Sequence, residues 1–139
     1  MQIDLPTLQR FFASAAFMAD LGIVPTAVAE GRVESELALA TRHFQHTGQV
    51  HAGVMLSMAD HSMGAAAQTL ADPGFVAITA ELSTRLLRAA VGQRLHCEAR
   101  VIKRGRSISF TEADVYCESA AQRVHVMRAS ATMALTRQG

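Results

Sequence analysis

From Gly53 to Ala71 the chain is apolar on nearly every side, through Val54, Met55, Leu56, Met58, Ala59, Met63, Ala65, Ala66, Ala67 and Leu70, yet one carboxylate, Asp60, sits in the middle. A helix without a polar face has to be enclosed by other elements. The pattern predicts a buried central helix over about 52–71, stopped by Asp72-Pro73-Gly74, where proline cannot continue the hydrogen-bond ladder and glycine suits the turn. Beyond it the period becomes two. Val76, Ile78, Ala80, Leu82 and Leu86 alternate with polar residues, as do Leu95, Cys97, Ala99 and Val101, and extended segments follow over 106–117 and 122–135. Short links between these segments favour an antiparallel meander, because parallel neighbours need crossover helices.

Upstream, Leu8, Phe11, Phe12, Ala15, Met18 and Ala19 recur at helical spacing between Pro6-Thr7 and Gly22, which predicts one short helix over about 7–21. Residues 23–40 read as two extended segments joined at Glu30-Gly31. The expected class is therefore α+β, with five to six antiparallel strands around a buried helix. In the segment 106–117 the apolar positions change parity, from Ile108 and Phe110 to Ala113, Val115 and Cys117. Either a bulge intervenes or both faces of the sheet are covered. One helix covers only one face, so the second option implies an oligomer.

With 139 residues, half of them hydrophobic, the chain has room and material for one domain spanning 1–139. Thirteen Lys and Arg against twelve Asp and Glu leave a net charge of +1, without the basic excess of a nucleic-acid binder. Cys97 and Cys117 form no C-x-x-C pair and are too few for a disulfide framework, so both are expected reduced in a cytoplasmic protein. Met1 to Gly22 lacks a cationic segment before its apolar stretch, and Asp4, Arg10 and Asp20 interrupt it, so neither export nor membrane insertion is expected.

The chemistry centres on Asp60. A carboxylate in so apolar a helix is costly unless it is paired, hydrogen-bonded or open to a cleft. Three- and four-residue steps from it reach Ser57, Gly53, Gly64 and Ala67, a stripe of small residues that lets a ligand or backbone approach. Ala52 and Gly53 lie where the helix should begin, and first-turn N–H groups are unpaired donors carrying partial positive charge. Such donors can stabilise a carbonyl oxygen that becomes negative, with Asp60 as general base or nucleophile two turns on. The plainer alternatives are that Asp60 caps or pairs locally and that Ala52-Gly53 is a tight helix entry. His43, His46, His51 and His61 do not form an established metal-binding spacing, so no metal is expected, and His61 points about 100° away from Asp60. Arg104-Gly105-Arg106-Ser107 reads first as a solvated hairpin turn and second as a phosphate site.

Gly48-x-x-His51-Ala52-Gly53 with Asp60 nine residues after the histidine resembles the hotdog-fold acyl-CoA thioesterases of the PaaI-like, phenylacetate-pathway type. That family more often has His-Gly-Gly and Leu-Ala-Asp where this chain has His51-Ala52-Gly53 and Met58-Ala59-Asp60. The likeness continues through Thr79-Ala80-Glu81-Leu82, Leu87-Arg88-Ala89-Ala90-x-Gly92 and Arg104-Gly105-Arg106 to about Leu135. It implies that Asp60 is the catalytic carboxylate, that Gln45 orients water and thioester, that the Ala52 N–H polarises the thioester carbonyl, and that Thr79 lies near the site. Alanine in place of the family glycine keeps the N–H but adds a methyl group and requires a negative φ. The likeness further implies acid and donor from different subunits of a homodimer or homotetramer. Arg85, Arg88, Arg104 and Arg106 are candidates for the phosphates of coenzyme A, with only Arg104 to Ser107 placed by motif.

The expected reaction is hydrolysis of an acyl-CoA to free acid and CoA. No further cofactor is expected, since CoA is part of the substrate. Adaptable Met55, Met58 and Met63 suit an aromatic or medium-chain acyl group. Alternatives are a non-catalytic acyl-CoA binding protein and a hotdog enoyl-CoA hydratase or dehydratase, in which Asp60 would work with His51 or His61.

Overall fold

The N-terminal segment folds as two helices, α1 over Leu5–Ser14 and α2 over Ala16–Leu21, where the sequence predicts one. Asp4 caps α1 by accepting from the Thr7 N–H at 2.9 Å, and Gly22 ends α2 in the left-handed conformation at φ 89°. Ala15 between them is extended, with φ −86° and ψ 106°. In one unbroken helix Met18 would stand about 120° around the axis from Phe12. The break at Ala15 turns Met18 back, so that Leu8, Phe12 and Met18 are all buried. The computed structural model describes residues 2–138.

β1 (Val24–Ala29) and β2 (Arg32–Ala38) form the hairpin expected at Glu30-Gly31, with Gly31 at φ 73°. The central helix α3 covers Ala52–Gln68 and stops short of the predicted Ala71. Thr69 is the reason. Its hydroxyl donates to the Ala66 carbonyl at 2.6 Å and accepts from the Gly31 N–H at 2.7 Å, tying the helix end to the β1–β2 turn. The remaining strands are β3 (Phe75–Leu86), β4 (Arg94–Arg104), β5 (Ile108–Glu118) and β6 (Arg123–Arg137).

All neighbours are antiparallel in the order β1-β2-β4-β5-β6-β3. This corrects the expected meander, which holds only for β4-β5-β6. Gln68 at the end of α3 donates to the Phe75 carbonyl at 2.9 Å and accepts from the Ala77 N–H at 3.0 Å, so β3 starts clamped to the helix. It then takes the free edge of β6 and leaves that of β2 to β4.

The helix packs on the inner face of β2 to β6. Buried alanines on both partners, such as Ala59 and Ala66 on α3 with Ala113 and Ala129 on the sheet, allow the close approach. Beneath the helix Ser35 and Ser62 share a hydrogen bond of 2.8 Å, and burial pushes the neighbouring Cys97 thiol up to about 12, leaving it unreactive. The parity change in β5 is not a bulge, since its pairing with β6 is regular from Ile108 to Val115. Ser109, Thr111, Ala113, Val115 and Cys117 face the helix, while Ile108 and Phe110 stand exposed on the outer face.

The β4–β5 turn carries a steric constraint. A Cβ on Gly105 would lie 2.4 Å from the Ile108 carbonyl oxygen, the same oxygen that accepts the Gly105 N–H at 2.8 Å. Gly105→Ala is therefore expected to cost about 1–3 kcal/mol, as overpacking typically does, measured by urea unfolding. An unchanged midpoint would show that the turn opens freely.

Candidate active site

The start of α3 is built by a short loop pinned from below. His43 is fully buried; its Nδ1 accepts from the Ala40 N–H at 2.9 Å and its Nε2 lies 2.7 Å from the Leu21 carbonyl, to which it donates. Both ring nitrogens are thus spent on the backbone, and this histidine anchors the loop. Phe44 pairs with Val50 across a tight turn in which Gly48, at φ 85°, donates to the Gln45 carbonyl at 3.0 Å. The turn holds Gln45 beside the helix start.

His51 is the N-cap of α3. Its Nδ1 accepts from the Gly53 N–H at 2.9 Å and its carbonyl accepts from the Val54 N–H at 3.0 Å. Gly53 allows this tight cap, because a Cβ there would sit 3.1 Å from the His51 Nδ1. Of the first three donors of the helix, then, two are taken by His51. The Ala52 N–H has no partner among the described residues. No residue other than glycine has a positive φ among them, so Ala52 occupies its position without backbone strain.

Ala52 lines a cleft of 310 Å³ with Gln45 and Arg88; Gln49, Val50, Met55, Leu86, Leu87, Ala89 and Ala90 complete it. The sequence assigns neither Gln49 nor Leu86 and Leu87 to a site. Of the methionines expected at the acyl group, Met55 lines the cleft, one turn from Ala52 on the same helix face, whereas Met58 and Met63 are fully buried in the core.

Asp60 is half-buried on the stripe of α3 that the sheet leaves partly uncovered, with Gly53, Leu56, Ser57 and Gly64. Ala67, assigned by its spacing to that stripe, is instead 1% exposed and packs into the core. Asp60 accepts a 2.6 Å hydrogen bond at Oδ1 from the Thr79 hydroxyl, and β3 has its irregularity immediately after Thr79, at Ala80. Oδ2 is left for other work. His61 turns away and packs on α1, 5.5 Å from the Phe11 ring and 4.4 Å from that of Phe12, and burial holds its pKa below the usual value.

Within one chain these groups form two separate clusters. Eight residues of helix separate Ala52 from Asp60, about 12 Å along the axis. Gln45, His51, Ala52, Gly53 and Arg88 belong to one cluster, and Asp60 and Thr79 to the other. Arg104 shares a row of the sheet with Thr79, through Ser109 and Met133. Arg88 lies about 25 Å further along the strand direction, so the structure does not bring it together with Arg104 to Ser107. In that turn Arg104 pairs with Asp72 at 2.8 Å, the Ser107 carbonyl accepts from the Leu135 N–H at 2.9 Å, and Arg106 is exposed.

An unpartnered helix-terminal N–H and a carboxylate held by a hydroxyl are the parts needed to polarise a carbonyl and activate water. No match is found among curated proteins. A thioesterase family protein of Silicibacter pomeroyi is 27% identical, with 94% of this chain and 96% of that one aligned at a TM-score of 0.91. A phenylacetic acid degradation-related protein of Ralstonia eutropha is 25% identical, over 86% and 89% of the two chains, at a TM-score of 0.76. A thioesterase of Haemophilus influenzae, 20% identical over 99% and 93%, has a TM-score of 0.87 and so shares the fold. These are hotdog folds, a sheet wrapped on one long helix, and no helix among the described residues is long and apolar enough to cross a membrane. The model of the thioesterase superfamily matches residues 47–124, which hold the helix start, Asp60, Thr79 and Arg88 together, and the chain belongs to that superfamily.

Proposed function

We propose that the protein is an acyl-CoA thioesterase that hydrolyses aromatic or medium-chain acyl-CoA to the free acid and CoA, at sites shared between two copies of the chain. The observation that carries this is the free Ala52 N–H at the head of a helix whose carboxylate, Asp60, is held ready by Thr79. The thioester carbonyl oxygen accepts from the Ala52 N–H, which takes up the negative charge formed on attack. Gln45 orients water and thioester, and His51 and Gly53 keep the helix start in shape. As general base, Asp60 takes a proton from water while the hydroxide oxygen bonds to the acyl carbon. The C–S bond then breaks, and the proton on Asp60 passes to the departing CoA thiolate. As nucleophile, Asp60 bonds to the acyl carbon itself and water cleaves the resulting anhydride. Arg88 meets the phosphates of CoA from the cleft, and Arg104, Gly105, Arg106 and Ser107 are candidates to do so from the other copy.

The 12 Å separation supports a shared site, since one chain cannot place both half-sites around one carbonyl. Two surfaces support an oligomer. β3 is an edge strand of twelve residues, with Leu82 and Leu86 exposed beside the uncovered stripe of α3. On the outer face Ile78, Ile108 and Phe110 are 52%, 42% and 50% exposed, which suits a second interface and hence a homotetramer built from homodimers in the cytoplasm.

The test is thiol release from phenylacetyl-, hydroxybenzoyl-, hexanoyl- and palmitoyl-CoA. Turnover of the aromatic or the six-carbon substrate is expected. No release from any of the four, in folded and oligomeric protein, overturns the reading. A single turnover in ¹⁸O-labelled water tests the nucleophilic role of Asp60: water that attacks the Asp60 carbonyl of the anhydride leaves label in its carboxylate, and the general-base route leaves none.

A further inference from the structure

On the outer face of the sheet, remote from the helix, His96 of β4 stands among three glutamates. Its Nε2 is 3.1 Å from Glu34 Oε1 and 3.5 Å from Glu98 Oε2, and its Nδ1 is 3.3 Å from Glu36 Oε1. The ring is 12% exposed. We propose that Glu34, His96 and Glu98 bind a divalent transition-metal ion of the zinc type, which staples β2 to β4. The inference is independent of the thioesterase reading.

Charge balance points to a divalent ion. Glu36, Glu98 and Glu118 are served by two guanidiniums: Arg94 reaches Glu36 at 3.5 Å and Glu118 at 2.6 Å, and Arg123 reaches Glu98 at 2.7 Å and Glu118 at 3.6 Å. Glu34 has no cationic partner but His96 among the described residues. Four carboxylates against two arginines leave two negative charges around the imidazole. The strand register adds to the demand, because Glu34 is the direct cross-strand partner of Glu98, and like charges so placed repel.

The placement of His96 agrees. With a metal bound, the ring keeps one proton, on Nδ1 toward Glu36, and Nε2 gives its lone pair to the ion lying between it and the two carboxylate oxygens. Glu36 then plays the part of the carboxylate that fixes tautomer and orientation behind a metal-binding histidine. The spacing suits the ion as well. Zinc bonds of 2.0–2.2 Å to nitrogen and oxygen in a tetrahedron put ligand atoms about 3.3–3.4 Å apart, and Nε2 lies 3.1 and 3.5 Å from its two oxygens. Water fills the fourth position. Imidazole with carboxylates selects a borderline ion over magnesium or calcium. Arg123 competes for Glu98, so its removal should tighten binding.

The experiment uses the full chain after dialysis against a chelator, titrated with Zn²⁺ by calorimetry and followed by thermal unfolding. One ion per chain is expected, with Tm rising by about 10 °C at ~100-fold excess over Kd. His96→Gln and Glu34→Gln should abolish both signals, Glu36→Gln should weaken binding about tenfold, and His46→Gln should leave it unchanged. Nitrogen chemical shifts of His96 give a readout that does not depend on the variants folding: on addition of Zn²⁺ the Nε2 resonance is expected to move to that of a metal-bound nitrogen while Nδ1 keeps its proton. Absence of binding, binding that survives His96→Gln in folded protein, or an Nε2 resonance that Zn²⁺ leaves unchanged overturns the proposal.

Discussion

Asp60→Asn is expected to lower kcat for thiol release by about 10²–10⁴-fold, the range that a positioned general acid or base supplies. The substitution isolates the chemistry. Asparagine keeps the size of the side chain and an Oδ1 that still accepts the 2.6 Å hydrogen bond from Thr79. It removes the negative charge and the ability to take a proton. Because the carboxylate sits half-buried in an apolar helix, neutralising it should leave Tm unchanged or raise it, the usual sign of a group kept for function at the expense of stability. A variant as active as the parent would reduce Asp60 to a local structural acid. A variant that is both inactive and unfolded in calorimetry would shift the explanation to folding, and Thr79→Val would then probe the same carboxylate more gently.

The central helix was legible because its signal is long: seventeen residues without a polar face admit one arrangement, enclosure by a sheet. Asp60 was legible for the same reason, as the exception within that run. Thr79 came from resemblance alone, since nothing in a period-two strand says which hydroxyl will meet a helix nineteen residues upstream. What the sequence hid depends on tertiary competition. Ala15 is a good helix former, yet it is extended because the core takes Leu8, Phe12 and Met18 together. The helix ends at Gln68 because Thr69 bonds to a glycine thirty-eight residues away. The place of β3 at the far edge follows from the Gln68 clamp, which no local pattern announces.

His51 shows the same limit within the site. As part of a motif it invites a chemical role, and alongside His43, His46 and His61 it invites a metal. In the structure its Nδ1 caps the helix by holding the Gly53 N–H, and it thereby leaves Ala52 as the open donor. The apparent departure from the family pattern, alanine for glycine, costs nothing in backbone conformation, since the helix asks for a negative φ there.

That donor can be deleted with little damage to the helix, and the consequence is the second large effect. Ala52 is the first residue of α3, the position where proline is best tolerated, and His51 before it has φ −63° and ψ 134°, the extended conformation that a following proline requires. Ala52→Pro should therefore fold with a Tm close to that of the parent while losing about 10²–10³-fold in kcat, the loss that follows removal of one oxyanion-hole donor. Ala52→Gly keeps the N–H and should keep the activity. Mixing then tests whether the two half-sites come from different chains. In a dimer of one Asp60→Asn chain and one Ala52→Pro chain, one site carries both lesions and the other carries neither. Random reassociation of the two inactive proteins makes half the dimers mixed, so about a quarter of the parent activity should return. If donor and carboxylate served the same carbonyl from within one chain, every site in the mixture would remain damaged, and no activity would return.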